Sequence, residues 1–287
     1  MKIALYPGCS LNSTAKEYKD SLIDVFKELD ISFKELDEWN CCSASAGHST
    51  DIFLTYSLCL RNLILAENQG YSEITLPCAA CYNLLKSTHN AIEKQLPEAL
   101  EANEELEKIM NLSYKKTLNI NHPLEILTRE ENKVKIKNNI KNPLSYLKVV
   151  PYYGCLLTRP REVAFDNVEQ PMLMDDLLKL VQADVKKWAY KTDCCSGPLS
   201  VVNTPQSEKS TSLLVEKAKQ AGADAIITAC PLCQMTLESR QNKDFEQIPI
   251  FYFTELLALS FSLNNCKSYF KNHLINPFPL LNKLNLI

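Results

Sequence analysis

The chain of 287 residues is 46% hydrophobic and 8% aromatic, with 31 Lys and Arg against 34 Asp and Glu for a formal net charge of −3. That length and apolar content suit two domains with cores of their own, and with no basic patch in the sequence nucleic acid is not an expected partner. The opening residues lack the pattern of a signal peptide, and the longest apolar run, 248 to 263, is broken by Thr254 and Glu255 and falls short of the ~20 residues a spanning helix needs, so a cytoplasmic protein is expected.

In chain order, residues 2 to 6 read as a buried strand. Pro7-Gly8-Cys9 then turns the chain into a helix over 13 to 29, with Leu22, Val25, Phe26 and Leu29 on its apolar stripe. Residues 31 to 36 read as a second strand leading to Cys41-Cys42, and 50 to 69 as a helix closed by Gly70. A short strand over 73 to 76 delivers Pro77-Cys78-Ala79-Ala80-Cys81, which opens another helix. From about 97 to 148 the composition turns to Glu, Lys and Asn, with a weak helical period over 101 to 112 and a short helix at 123 to 128; the charge runs read as solvated faces.

The order then repeats. Strand 148 to 152 precedes Gly154-Cys155, helix 172 to 181 follows, and strand 185 to 190 leads to Cys194-Cys195. Helix 205 to 221, strand 225 to 228 and Cys230-Pro231-Leu232-Cys233 come next, and strand 249 to 253 leads into a C-terminal helix. The expected organisation is an α/β fold of two pseudo-symmetric βαβ-type domains with small parallel sheets, residues 1–112 and 148–287, joined by a connector at 113–147. Each repeated cysteine lies at a strand–helix junction, where open α/β sheets form their ligand sites.

Ten of the twelve cysteines fall into two matched sets: Cys9, Cys41, Cys42, Cys78 and Cys81 read C-x31-CC-x35-C-x2-C, and Cys155, Cys194, Cys195, Cys230 and Cys233 read C-x38-CC-x34-C-x2-C. Adjacent cysteines do not bridge easily, because their Cα atoms lie ~3.8 Å apart where a relaxed disulfide wants ~4.4 to 6.8 Å. A C-x2-C at a helix start favours thiolate, and alone would suit a thioredoxin-like redox pair. Zinc takes four thiolates and leaves one over in each set, whereas an iron–sulfur cluster has a use for a fifth. Five per half therefore favours iron–sulfur, with a zinc-stapled interaction module as the non-redox alternative. Cys59 and Cys266 have no counterparts and read as buried apolar residues.

The duplicated pattern resembles the cysteine-rich CCG domain of the B-type subunits of heterodisulfide reductase, especially the branch outside the methanogens. Local strings carry the likeness: Tyr6-Pro7-Gly8-Cys9-Ser10, Trp39-Asn40-Cys41-Cys42, Pro77-Cys78-Ala79-Ala80-Cys81-Tyr82, Tyr153-Gly154-Cys155-Leu156-Leu157-Thr158-Arg159-Pro160, Ala229-Cys230-Pro231-Leu232-Cys233-Gln234 and Phe253-Thr254-Glu255-Leu256-Leu257. The resemblance implies one noncubane [4Fe-4S] cluster in each half, held by the five cysteines of that half, with zinc in one site as an alternative. It implies two CCG domains facing each other across a pseudo-twofold axis to cleave a small-molecule or protein disulfide. The partners implied are an iron–sulfur electron-donor subunit and a flavin-containing subunit of one complex; with six glycines and no G-x-G-x-x-G, the chain offers no nucleotide or flavin site of its own.

A second role implied by the same module is a quinone-linking subunit of a succinate dehydrogenase or fumarate reductase. For that role helix 256 to 263 and the apolar tail 277 to 284 are candidates to meet a membrane's inner face or a partner, with core packing as the alternative. The chain departs from the family at Ser43 and Ser196, which stand where a glycine follows each double cysteine; their hydroxyls are expected to bond a cluster sulfur. Arg159, Arg161 and Lys191 are candidates to hold an anionic substrate arm, and His48 to relay protons, against the reading of each as an ordinary loop residue. His89, His122 and His273 support no functional reading.

Overall fold

The computed structural model describes residues 2–44 and 47–287. Its first half runs β1 (Ile3–Leu5), α1 (Gly8–Leu11), α2 (Lys16–Glu28), β2 (Phe33–Glu35), α3 (Gly47–Thr50), α4 (Ile52–Asn68), β3 (Glu73–Thr75), α5 (Ala79–Glu93), α6 (Pro97–Met110), β4 (Asn119–Asn121), α7 (Pro123–Leu127) and α8 (Glu130–Asn139). The second runs β5 (Lys148–Tyr152), α9 (Leu173–Leu180), β6 (Asp184–Val185), α10 (Thr204–Gln220), β7 (Ala225–Thr228), α11 (Pro231–Ser239), β8 (Ile250–Tyr252), α12 (Phe253–Ser260), α13 (Cys266–Phe270) and α14 (Phe278–Lys283).

The strands form two four-stranded sheets, ordered β2-β1-β3-β4 and β6-β5-β7-β8, in which every pairing is parallel. Parallel strands need a crossover between neighbours, and the helices supply it while covering the sheet faces. The inner strands are correspondingly buried: Ile3–Leu5 and Ala225–Thr228 are buried at every position. Helix starts follow local chemistry, with Asp51 capping α4 and Asn203 capping α10 through their side chains. Glu125 and Glu255 reach back to the N–H of His122 and Tyr252 at 2.7 and 2.8 Å, so α7 and α12 begin in the same way.

Two differences from the sequence reading follow from that matched start. The stretch 113–147, read as a connector, holds β4, which pairs with β3 through Glu73 and Asn119, Ile74 and Ile120, and Thr75 and Asn121. It is the counterpart of β8, and α6, which has no equivalent in the second half, displaces it along the chain. Residues 186 to 190 continue as loop rather than strand, because Trp188 turns to donate its Nε1–H to the Pro151 carbonyl at 2.8 Å.

The halves are joined by reciprocal packing. Helix α2 lies on α12 and α13 of the other half, and α9 lies on α7 and α8. Tyr18 stacks on Tyr252 with ring centroids 4.2 Å apart, and Phe165 lies flat on His122 at 5.7 Å. Ser21 and Thr254 share a buried hydroxyl bond of 2.7 Å across the seam. Helix α12, a candidate for membrane contact, is buried along its whole length, so core packing accounts for it; in the tail 277 to 284, Leu281 is buried and Phe278, Leu280 and Leu284 lie half-buried against the core. Among the described residues no helix is long and apolar enough to cross a membrane.

Candidate metal centres

Each cysteine set gathers at the carboxyl ends of three adjacent strands. Cys9 lies in α1 just past β1, Cys41-Cys42 follow β2, and Cys78 is the N-cap of α5 with Cys81 in its first turn. The second half repeats this with Cys155 after β5, Cys194-Cys195 beyond β6, Cys230 as the N-cap of α11 and Cys233 inside it. The sheet order puts β1 and β5 at the centre, where consecutive crossovers diverge and leave a crevice. All ten are free thiols. Cys42 and Cys81 sulfurs stand 3.1 Å apart, and those of Cys195 and Cys233 stand 3.5 Å apart, well beyond a disulfide's ~2.05 Å. Cys42, Cys78, Cys81, Cys195, Cys230 and Cys233 are buried, while Cys9, Cys41 and Cys194 are exposed and Cys155 is half-buried, so each set is closed toward the sheet and open on one side.

Backbone conformation makes room for the sulfurs. Gly8 and Gly154 have φ of +63° and +68°, and a Cβ at either would stand 3.0 Å from the Cys81 sulfur or 3.1 Å from the Cys233 sulfur. Gly154→Ala should therefore cost the second site its metal, about half the total for two like sites, while the protein stays folded; metal per chain beside a circular dichroism spectrum checks this, and an unchanged metal content would refute it. Tyr6 and Tyr152, two residues earlier, donate their hydroxyls to the Asn40 and Asp193 carbonyls, each at 2.7 Å, tying the strand end to the double-cysteine loop.

Ser43 and Ser196 occupy left-handed backbone, φ 67° and 57°, which is the physical reason for a glycine there. Their hydroxyls have protein partners: Ser43 Oγ lies 3.2 Å from Thr55 Oγ1 in α4 and Ser196 Oγ 2.8 Å from Ser210 Oγ in α10. The backbone contacts a cysteine sulfur, with the Ser196 N–H donating to Cys194 Sγ at 3.3 Å. Matching backbone donors act on Cys41 from Ser43, on Cys42 from Ala44 and on Cys195 from Gly197. Successive N–H groups aimed at one point form an anion-holding nest, suited to thiolates. Ser196→Gly should consequently leave metal content at the wild-type level, an outcome the same assay reads.

Crowding sorts the protons among these thiols. Hydrogen bonds from Cys41 and then Cys81 hold Cys42 down at about 3, and a bond from Cys155 holds Cys194 down at about 6, with the Arg159 charge a smaller help. Cys81 and Cys233 are pushed up as the donating partners. A set of buried thiols that already shares protons is ready to exchange them for cations. Among the described residues, the buried hydroxyls of Thr75, which ends the strand leading to Cys78, and of Tyr252 have no hydrogen-bond partner. Five free thiols, a sulfur-sized clearance over a glycine and converging N–H groups fit a thiolate-bound cluster. Among the described residues no group of three or more His, Cys, Asp or Glu is set to hold a single metal ion.

The remaining candidates separate clearly. Arg159 and Arg161 are exposed, and Arg159 is near enough to Cys194 to favour its thiolate. Lys191 is not free for a substrate: its ammonium is buried against Asp175 at 2.7 Å and the Pro171 carbonyl at 2.9 Å, and its own carbonyl accepts from the Tyr153 and Gly154 N–H groups. It positions the Cys155 turn. His48 is exposed and lines a groove of about 80 Å³ with Ala44, Ala80, Asn83, Leu84 and Leu156, where the two cysteine-bearing faces approach. Cys59 and Cys266 are buried, as expected. Sequence reasoning missed His122, Tyr18 and Tyr252, which fill the seam between the two sites; the signal was the match of 122–127 with 252–257, obscured by α6.

The family described as the CCG cysteine-rich domain matches residues 3–86 and 149–238. The chain is 29% identical over 269 residues to the 8-methylmenaquinol:fumarate reductase membrane anchor subunit of Wolinella succinogenes, covering 91% of this chain and 93% of that protein. It is 28% identical over 270 residues to the B-type subunit of the Ferredoxin/F(420)H(2)-dependent CoB-CoM heterodisulfide reductase of Methanosarcina acetivorans, covering 90% and 89%. Among solved structures, a hypothetical protein from Helicobacter pylori has the same fold, with a TM-score of 0.74 over 95% of this chain at 14% identity; this chain spans about half that protein's length, 51%. Both cysteine sets fall inside the two matched segments, and the chain therefore belongs to the cysteine-rich CCG-domain family, carrying that domain twice as a relative of the B-type subunits of heterodisulfide reductase.

Proposed function

We propose that this chain is the electron-transfer subunit of a reductase complex and holds two noncubane [4Fe-4S] clusters, one on Cys9, Cys41, Cys42, Cys78 and Cys81, the other on Cys155, Cys194, Cys195, Cys230 and Cys233. The observation that carries the reading is the convergence of two matched sets of five free thiols at the carboxyl ends of two parallel sheets. When bound, the clusters supply one-electron steps and a Lewis-acid site for sulfur. The reaction that suits two such sites is the reduction of a disulfide: two electrons arrive from partner iron–sulfur and flavin subunits, the S–S bond breaks, and two protons complete two thiols. In this reading the chain's residues hold the clusters and leave one side of each open, Arg159 favours thiolate at Cys194, and His48 in the intervening groove is the candidate to hand a proton to a leaving thiolate.

One finding favours a second substrate for the same relay. A relative matched over 93% of its length is named as a subunit of an 8-methylmenaquinol:fumarate reductase, and a quinol, like a dithiol, releases two electrons and two protons. The experiment that separates these readings is elemental and spectroscopic. Protein purified anaerobically should carry about eight iron and eight acid-labile sulfide per chain, the content of two four-iron clusters. A new paramagnetic signal on adding a disulfide would favour the first substrate; reduction by a menaquinol analogue without response to disulfide would favour the second. About two zinc and no sulfide would overturn both and leave a stapled structural module.

A further inference from the structure

The two halves part company where the chain leaves the first cysteine of each set. In the first half Cys9 lies in α1 and α2 follows, whereas residues 153–172 of the second half form neither helix nor strand. A stretch that long without elements of its own is uncommon in a compact fold unless it serves a function, and this one is pinned across the seam. Asn83, buried in α5 two residues beyond Cys81, donates its side-chain amide to the Leu156 carbonyl at 2.8 Å and to the Arg159 carbonyl at 2.7 Å. Both protons of that amide are used in this way. On the same helix the Tyr82 hydroxyl donates to the Val163 carbonyl at 3.0 Å, Asn90 donates to the Glu162 carbonyl at 3.0 Å, and Lys94 meets the Glu162 carboxylate at 3.2 Å. Leu156 follows Cys155 directly. One amide therefore joins the helix of the first cysteine set to the turn of the second. Met235 holds the equivalent place two residues beyond Cys233; it is exposed and has no amide, so the second half returns no such tie from there.

Asn83 also lines the groove of about 80 Å³ between the cysteine-bearing faces, in which Leu156 is the one lining residue from the second half among the described residues. A groove of that size is well under the ~300 Å³ of an ordinary ligand pocket. It takes the reacting bond and not a whole substrate, and its width decides which atoms meet which site. We propose that Asn83 is a positioning residue for the reaction between the two sites: by holding the Leu156–Arg159 turn against α5 it sets the span that one S–S bond must bridge. This rests on the reading that a disulfide is cleaved there, R–S–S–R taking two electrons and two protons to give two R–SH. Loss of the tie leaves each set of thiols in place, since no cysteine is among its partners. It frees the second wall of the groove, and a misplacement of ~1 Å at a reacting centre costs on the order of 10²-fold in rate.

The test compares the wild-type chain with Asn83→Leu, which keeps the branching of the side chain and removes both donors. Asn90→Leu loosens the same loop from outside the groove and carries the test if the first variant fails to fold. All are purified anaerobically, and iron per chain and the rate of cluster reduction by reduced methyl viologen alone are measured first. Turnover is then followed with reduced methyl viologen as electron donor and bis(2-hydroxyethyl) disulfide, cystamine or dithiodiglycolate as the neutral, cationic or anionic disulfide. The expected result is wild-type iron and wild-type reduction by viologen in both variants, with kcat on the best of the three disulfides lowered on the order of 10²-fold in Asn83→Leu and by less in Asn90→Leu. A purely structural tie would lower the melting temperature and leave kcat per iron-loaded chain at the wild-type value. That outcome in the variants that fold would overturn the positioning role and leave the proposed function standing. An iron-loaded wild-type chain that turns over none of the three disulfides would overturn both.

Discussion

Cys233→Ser should strip one metal centre and leave the other, so that iron per chain falls by about half and electron transfer through the subunit is lost. Cys233 is buried in α11 beneath Gly154, 3.5 Å from the Cys195 sulfur. A serine hydroxyl has a pKa far above that of a thiol and does not replace a thiolate as a soft ligand. The oxygen fits the space the sulfur leaves, so the far-ultraviolet circular dichroism should match wild type. The equivalent change at Cys81 should remove the other half of the iron. Metal analysis of both single variants and of the double variant checks the independence of the sites; full iron in either single variant would show that these sulfurs are not ligands.

His273→Ala should destabilise the chain by roughly 3 kcal/mol or more, the scale of an uncompensated buried charge, and lower the melting temperature by on the order of 10 °C. The imidazole is buried between two carboxylates, with Nδ1 2.8 Å from Glu238 Oε1 and Nε2 2.9 Å from Glu255 Oε1. Phe251 and Phe270 cover it, and Glu17 from α2 adds a third acid nearby. Burial alone would lower its pKa, but Glu255 and Glu238 outweigh that and hold it at about 11. A base whose pKa rises from ~6.5 on folding gives stability that is fully present below the unfolded value and is lost as pH climbs through the folded one. Wild-type protein should therefore keep this contribution at pH 8 and lose it toward pH 11. Without the imidazolium, Glu238 and Glu255 face each other unneutralised, so the deficit should be full near pH 8, where the wild-type imidazolium is intact, and shrink as pH climbs toward 11. Thermal melts of the two chains from pH 5 to 11 measure this; a deficit independent of pH would show that only packing was lost.

Much of this architecture was legible because the cysteines are landmarks as well as proposed ligands. Each marks a strand end, so the repeated spacing revealed the duplicated sheets and the side on which the thiols gather. What escaped was set by chemistry that spacing does not carry. The fourth strand of the first sheet is three residues of Asn119, Ile120 and Asn121, too short and too polar to show a period. Lys191 read as an open cation because nothing in the sequence ties it to Asp175, which arrives from a helix sixteen residues earlier. Nor do sequence neighbours carry the state of the histidines: burial keeps His122 neutral, while Glu255 and Glu238, arriving from other elements, keep His273 charged against its burial.

The exchange of helices across the seam bears on how this molecule tolerates being taken apart. Because α2 covers α12 and α13 while α9 covers α7 and α8, each half completes the other's hydrophobic surface. A break in the backbone between 139 and 148 would not liberate two modules that fold alone. It would leave fragments with complementary open faces, which reassemble with each other or trade places between copies, as in domain swapping. Fusion of the duplicated unit into one polypeptide removes that ambiguity, since the tether raises the effective concentration of the correct partner over any other copy.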